Sequence, residues 1–212
     1  MESLTLLSMD TYEDWRARFS FPRLHTLVLK DFGLLIDGSI QNIHHLDMTE
    51  YVLRFTEIEG GLRSEPCWSY YFLQTVPNLV SLTWTVHTST VELLPRPMVL
   101  PFLKFLSLPS CGTHKYHTLW ALKCFVAPSL EYLDLDLGPC TYPGLEETLK
   151  EALDVICRDG SVQLRHLTLR CPPKLKSVNF RAMSPHLDHL DTFTIRDPSP
   201  SPTYLQPHPD VE

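Results

Sequence analysis

One short pattern, apolar-x-x-apolar-x-apolar, recurs eight times along the chain. It reads Leu24, Leu27, Leu29; Ile43, Leu46, Met48; Leu79, Leu82, Trp84; and Leu103, Leu106, Leu108. It continues as Leu130, Leu133, Leu135; Leu164, Leu167, Leu169; and Leu190, Phe193, Ile195, while Met1, Leu4 and Leu6 fit the same template at the start. Successive starts are 19 to 36 residues apart, with a mean of 27. Side chains two apart on a strand face the same side. The last two apolar residues of each phrase therefore make one oily side of a short strand, and the first anchors the chain before it. A lone strand cannot bury that side, whereas parallel strands stacked from successive repeats share one continuous core.

A repeat of this length and leucine spacing lies in the range of leucine-rich repeats. The fold class expected is an α/β leucine-rich-repeat solenoid over residues 1–196. It would have about eight short parallel strands, with irregular helical or extended segments on the convex side. The return segments support this unevenly. Leu145, Leu149, Leu153 and Ile156 form one helical stripe, with Glu146 and Glu147 early and Gly160 as terminator. A shorter helix is expected before Pro128, offering Leu119, Leu122 and Phe125 to the core. A third is expected in SEPCWSYYFLQTVP, capped by Ser64 with Pro66 in its first turn. VELLPRPMVLP, with three prolines, reads as extended or irregular. Residues 197–212, with five prolines in sixteen, read as a disordered tail.

Charge and composition narrow the function classes. There are 18 Lys and Arg against 25 Asp and Glu, a formal net charge of −7, and no basic run. Nucleic acid is not expected as a partner, because clustered cations supply most of that affinity. No stretch approaches the roughly 18 apolar residues of a membrane helix, and the first residues lack a basic signal-peptide start. A cytoplasmic or nuclear location without membrane association is expected. Six scattered cysteines without a CxxC read as reduced thiols.

The phrases FPRLHTLVL, VPNLVSLTW, LPFLKFLSL, APSLEYLDL and SPHLDHLDTFTI place a proline close before the leucine strand. In this the chain resembles the leucine-rich-repeat region of the large fungal F-box-like protein family, over roughly residues 1–196. The resemblance implies that the repeats bind a protein destined for ubiquitination. In that family an F-box binds a Skp1-type adaptor. No F-box is recognisable here, so such an adaptor is expected only if one lies upstream in a longer product. Many leucine-rich repeats carry an asparagine three residues after the last strand leucine. Here those positions hold Met9, Phe32, Tyr51, His87, Cys111, Gly138, Pro172 and Pro198, so the turns must be held by other means.

Chemical motifs are few. Cys111, His114 and His117, with Cys124 nearby, have ligand types that zinc accepts, but they lack the usual two pairs across a longer loop. A polar loop entering a helix explains them, as chance explains His186 and His189. Asp134 and Asp136 before Gly138 lack the further oxygen ligands of a calcium loop. Glu146 and Glu147 read as solvated residues of a helical first turn, where the dipole favours anions. No GxSxG, HExxH, GxGxxG or GxxxxGK occurs. No catalytic residue, metal or cofactor is expected, and the chain reads as a binding module rather than an enzyme.

If the leucines point inward, the residues between them form an outward row on the concave sheet face. The partner-binding residues expected there are Phe105, Tyr132, Asp134, Asp136, His166, Thr168 and Arg170, which join aromatic anchors to charges as binding hot spots do. Two other readings stay open: a leucine-rich-repeat scaffold or regulatory protein unrelated to ubiquitin, and an incomplete gene product without independent function.

Overall fold

The computed structural model describes residues 2–7, 15–17, 23–30, 34–36, 41–48, 73–85, 97–110, 117–138, 144–156, 164–171, 187 and 190–197. In chain order the elements are β1 (Ser3–Leu7), β2 (Trp15–Ala17), β3 (Thr26–Lys30), β4 (Leu34–Ile36), β5 (His45–Met48), β6 (Ser81–Trp84), β7 (Met98–Val99) and β8 (Phe105–Leu108). They continue as α1 (His117–Lys123), β9 (Phe125–Val126), β10 (Tyr132–Asp136), α2 (Leu145–Ile156), β11 (His166–Arg170) and β12 (Thr192–Arg196).

The molecule is α/β, built on a parallel sheet of eight strands in the order β1-β3-β5-β6-β8-β10-β11-β12. Each strand comes from one leucine phrase, and neighbours in space are neighbours in the repeat. The register aligns the phrases, so Leu4, Leu27, Leu46, Leu82, Leu106, Leu133, Leu167 and Phe193 lie in one row across the sheet. From Leu24 to Leu169 every phrase residue is at most 3% exposed, while Leu4, Leu190, Phe193 and Ile195 pack half-buried against that core. A slip of one residue would turn a strand's apolar side to the open face. Each fully buried leucine contributes roughly 1.5–3 kcal/mol, which holds the register.

Backbone hydrogen bonds tie each repeat to the next. The carbonyl just before one strand accepts two consecutive N–H groups from the following repeat. Glu131 O, for example, accepts from Arg165 N at 2.9 Å and His166 N at 3.0 Å, and Lys104 O accepts from Glu131 N and Tyr132 N, both at 2.9 Å. The same pair of bonds occurs at Glu2, His25, His44, Val80 and Arg165. After the strands, Leu137 N donates to Arg170 O at 2.8 Å and Cys171 N to Arg196 O at 3.1 Å. Backbone groups thus tie these repeats together, and at one junction Asn78 Nδ2 adds a 2.9 Å bond to Gln41 O of the preceding repeat.

The described return segments bury their apolar residues in the same core as the strand leucines. α2 buries Leu145, Leu149, Ala152, Leu153 and Ile156, the stripe expected from the sequence with Ala152 added. It packs beside α1, and Lys123 Nζ reaches Glu151 Oε2 at 2.7 Å between them. Leu119, Leu122 and Phe125 are buried as expected. Phe125 is not helical, however. α1 ends at Lys123, and Phe125 and Val126 pair in parallel with Met98 and Val99, as aromatic and β-branched residues favour. Phe125 then meets Trp84 edge-on at 5.6 Å. The extended reading of the proline-rich stretch holds at Met98–Val99. Of the third expected helix, Leu73 and Gln74 are helical, while Ser64, Pro66, Gly160 and residues 198–212 lie outside the described residues.

Candidate functional site

Strand alternation that sends the leucines inward sends the intervening residues to the opposite face. Cross-strand register orders them into rows. The first row runs Thr26, His45, Ser81, Phe105, Tyr132, His166 and Thr192; the second runs through Ser107, Asp134, Thr168 and Thr194. A third, at the ends of the last strands, holds Arg170 beside Arg196.

The aromatic part of the first row is continuous. Tyr132 and His166 stack with ring centroids 4.2 Å apart and planes 10° from parallel, and Phe105 tilts toward Tyr132 at 6.4 Å and 38°. Parallel strands lie about 4.8 Å apart, so flat rings at the same register position meet face to face. His166 Nδ1 shares a 2.6 Å hydrogen bond with Thr192 Oγ1, which ties the imidazole to the next strand. Phe105 and Tyr132 remain 37% and 41% exposed.

Beside this stack lies an ion pair. Arg170 Nη2 donates to Asp134 Oδ2 at 2.8 Å, and Ser107 Oγ makes a longer 3.5 Å contact to the same oxygen. Asp134 Oδ1 is shielded from solvent and has no hydrogen-bond partner among the described residues. Thr168 stands half-buried between Asp134 and Thr194 in the second row. Phe105, Tyr132, Asp134, His166, Thr168 and Arg170 are therefore brought together on one face.

Asp136 is a correction. Expected on the open face, it is 2% exposed. β10 ends there and the chain turns at Gly138, whose φ is 69°. Asp136 Oδ1 accepts the Gly138 N–H at 2.9 Å, and its carbonyl accepts the Thr118 hydroxyl at 3.0 Å. An aspartate bonding the backbone two residues ahead is a turn former, and this turn covers the carboxylate. Thr85, placed on the outward row by the same alternation, is also buried, because β6 ends one residue earlier at Trp84.

Cys111, His114, His186 and His189 lie outside the described residues, as does the side chain of His117, while Cys124 is buried. Among the described residues no group of three His, Cys, Asp or Glu is placed to hold a metal ion. No helix among them is long and apolar enough to cross a membrane. Sequence reasoning missed Val99 and Phe102, 60% and 55% exposed; their signal was two large apolar residues in a proline-containing stretch and outside the leucine register.

Comparison with known proteins identifies no relative: no family model, no curated protein and no solved structure matches the chain.

Proposed function

We propose that this chain is a leucine-rich-repeat solenoid whose open sheet face recognises a protein target, and that it serves as the substrate-binding half of an F-box-type ubiquitin-ligase receptor. The observation that carries the reading is the contrast between the two faces of the same strands. One is sealed by leucines, and the other presents Phe105 and Tyr132 more than one-third exposed beside the Asp134–Arg170 pair. Partly exposed aromatic rings with arginine nearby have the composition of interface hot spots. The ubiquitin role rests on the proline-leucine phrases and their resemblance to fungal F-box-like proteins. The mechanism is positional: the repeats hold the target while other subunits carry out the chemistry. A Skp1-type adaptor joins only if an F-box lies upstream in a longer product.

Affinity capture from cell extract tests the recognition role, with a Tyr132, Asp134, His166 and Arg170 quadruple substitution to alanine as control. Proteins retained by the native chain and lost by a variant with unchanged circular dichroism support it. Capture of a Skp1-type adaptor by a longer product, but not by these 212 residues, supports the ubiquitin role. Target capture without any adaptor points to a scaffold instead.

A further inference from the structure

We propose that the C-terminal half of the open face binds an extended acidic segment of the partner protein. Its carboxylates would sit on Arg196 and Arg170 and an aromatic or aliphatic side chain on Tyr132 and Phe105. This rests on the recognition reading above and specifies its partner chemistry.

The sign of the charge is the first argument. Arg170 and Arg196 are direct register neighbours on adjacent strands. Like charges placed opposite each other in a sheet disfavour folding. Asp134 lies against Arg170, but no described residue forms an ion pair with the exposed Arg196. Among the carboxylates on the open-face rows, Asp134 is not open to a cationic partner either. Asp134 Oδ2 is engaged by Arg170, and Oδ1 is shielded from solvent. Asp136, which shares the register position of the two arginines, is buried and accepts the Gly138 N–H. Asp197, exposed just past β12, falls at the parity of Phe193 and Ile195, opposite to that of Arg196. On the open face the corner therefore offers cations and withdraws its anions. The chain's net charge of −7 does not cancel this locally, because physiological salt screens charges beyond about 8 Å.

Spacing is the second argument. Tyr132 opens β10 and Arg196 closes β12, with β11 between. Four residues along a strand at about 3.3 Å and two strand separations at about 4.8 Å place them roughly 16 Å apart. An extended peptide covers that distance in about five residues. The partner segment should thus carry its apolar anchor four to six residues from its acids. The stacked His166 lies between the two contacts, with Thr168 and Thr194 beside it to meet a backbone.

The test is a phage-displayed random dodecapeptide library panned on the full chain. Recovered peptides should be enriched in Asp and Glu at four to six residues from an aromatic or aliphatic residue. They should bind Arg196→Glu and Tyr132→Ala at least tenfold more weakly than the native chain, and both variants should keep the native circular dichroism because both side chains are exposed. Peptides rich in Lys or Arg that still lose binding to Tyr132→Ala would overturn the acidic assignment and leave the recognition face standing. Acidic peptides indifferent to both substitutions would overturn the recognition face itself. Recovery of no enriched sequence would overturn the proposal that this face holds a linear acidic segment.

Discussion

Arg170 bonds to Asp134 at 2.8 Å, although the residue opposite it in the strand register is Asp136. The guanidinium reaches diagonally back along the neighbouring strand, while Asp136 Oδ1 accepts the Gly138 amide. Arg170 therefore lies across the open face beside the Tyr132 and His166 rings. Asp134 and Arg170 side chains are 21% and 30% exposed, and pairs near the surface contribute about 0–1 kcal/mol. The unpartnered Asp134 Oδ1 lowers that further. The pair orients an arginine at the surface more than it stabilises the fold.

The division between sealed and open faces is tested by adjacent residues. Leu133→Asp should unfold the protein cooperatively, because it buries an unpaired charge between Leu106 and Leu167. Asp134→Leu should leave far-ultraviolet circular dichroism almost unchanged. Equal loss of structure in both would mean that the register is wrong. Leu133→Ala should cost about 2–5 kcal/mol in urea unfolding. Leu4→Ala should cost less, since Leu4 is only half-buried on the edge strand.

The turn after β10 separates a structural aspartate from a binding one. Asp136→Ala removes the acceptor of the Gly138 N–H and should cost about 1–3 kcal/mol by urea titration. Asp136→Asn keeps an acceptor oxygen and should cost less. Gly138→Ala should also destabilise, because its φ of 69° is strained for a side chain and the new Cβ would lie 3.0 Å from Ser110 Oγ.

Two aromatic residues should respond in opposite ways. Trp84, 3% exposed and packed on Phe125, should cost about 3–5 kcal/mol when replaced by alanine. Tyr132→Ala should change the unfolding midpoint little and abolish target capture. A Tyr132→Ala variant that still retains every captured protein would remove Tyr132 from the binding face.

Acid should loosen the contact between the helices. The hydrogen bond from Lys123, and then its positive charge, hold the Glu151 carboxyl below its ordinary value. A carboxyl with a lowered folded value contributes stability above its unfolded value and loses it as pH falls through the folded one. Glu151→Gln should therefore reduce the drop in melting temperature between neutral and acidic pH. The effect should be small and salt-sensitive for so exposed a carboxylate. Lys123→Met should act the same way, and the double variant should show less than the sum of the two. A pH profile identical to the native one would exclude the contact.

Much of this was legible in one dimension. Side-chain parity is a property of the extended backbone itself, so the spacing of Leu130, Leu133 and Leu135 already separates inside from outside. Aligning the phrases already sets Tyr132 beside His166, although 34 residues separate them in the chain. The α2 stripe is legible for the same reason, since its period is set by local geometry.

Strand ends were not legible. Alternation assigns Asp136 to the open face only while the strand continues. Where it stops depends on a turn stabilised by Thr118, a residue from a different return segment. Phe125 likewise satisfies the helical period but lies in a strand, because Met98 and Val99 offer it backbone partners. Local periodicity thus decides which side chains are hidden along an element. Where an element ends depends on hydrogen bonds from distant chain, such as those of Thr118 and Met98, and these exist only once the repeats have come together.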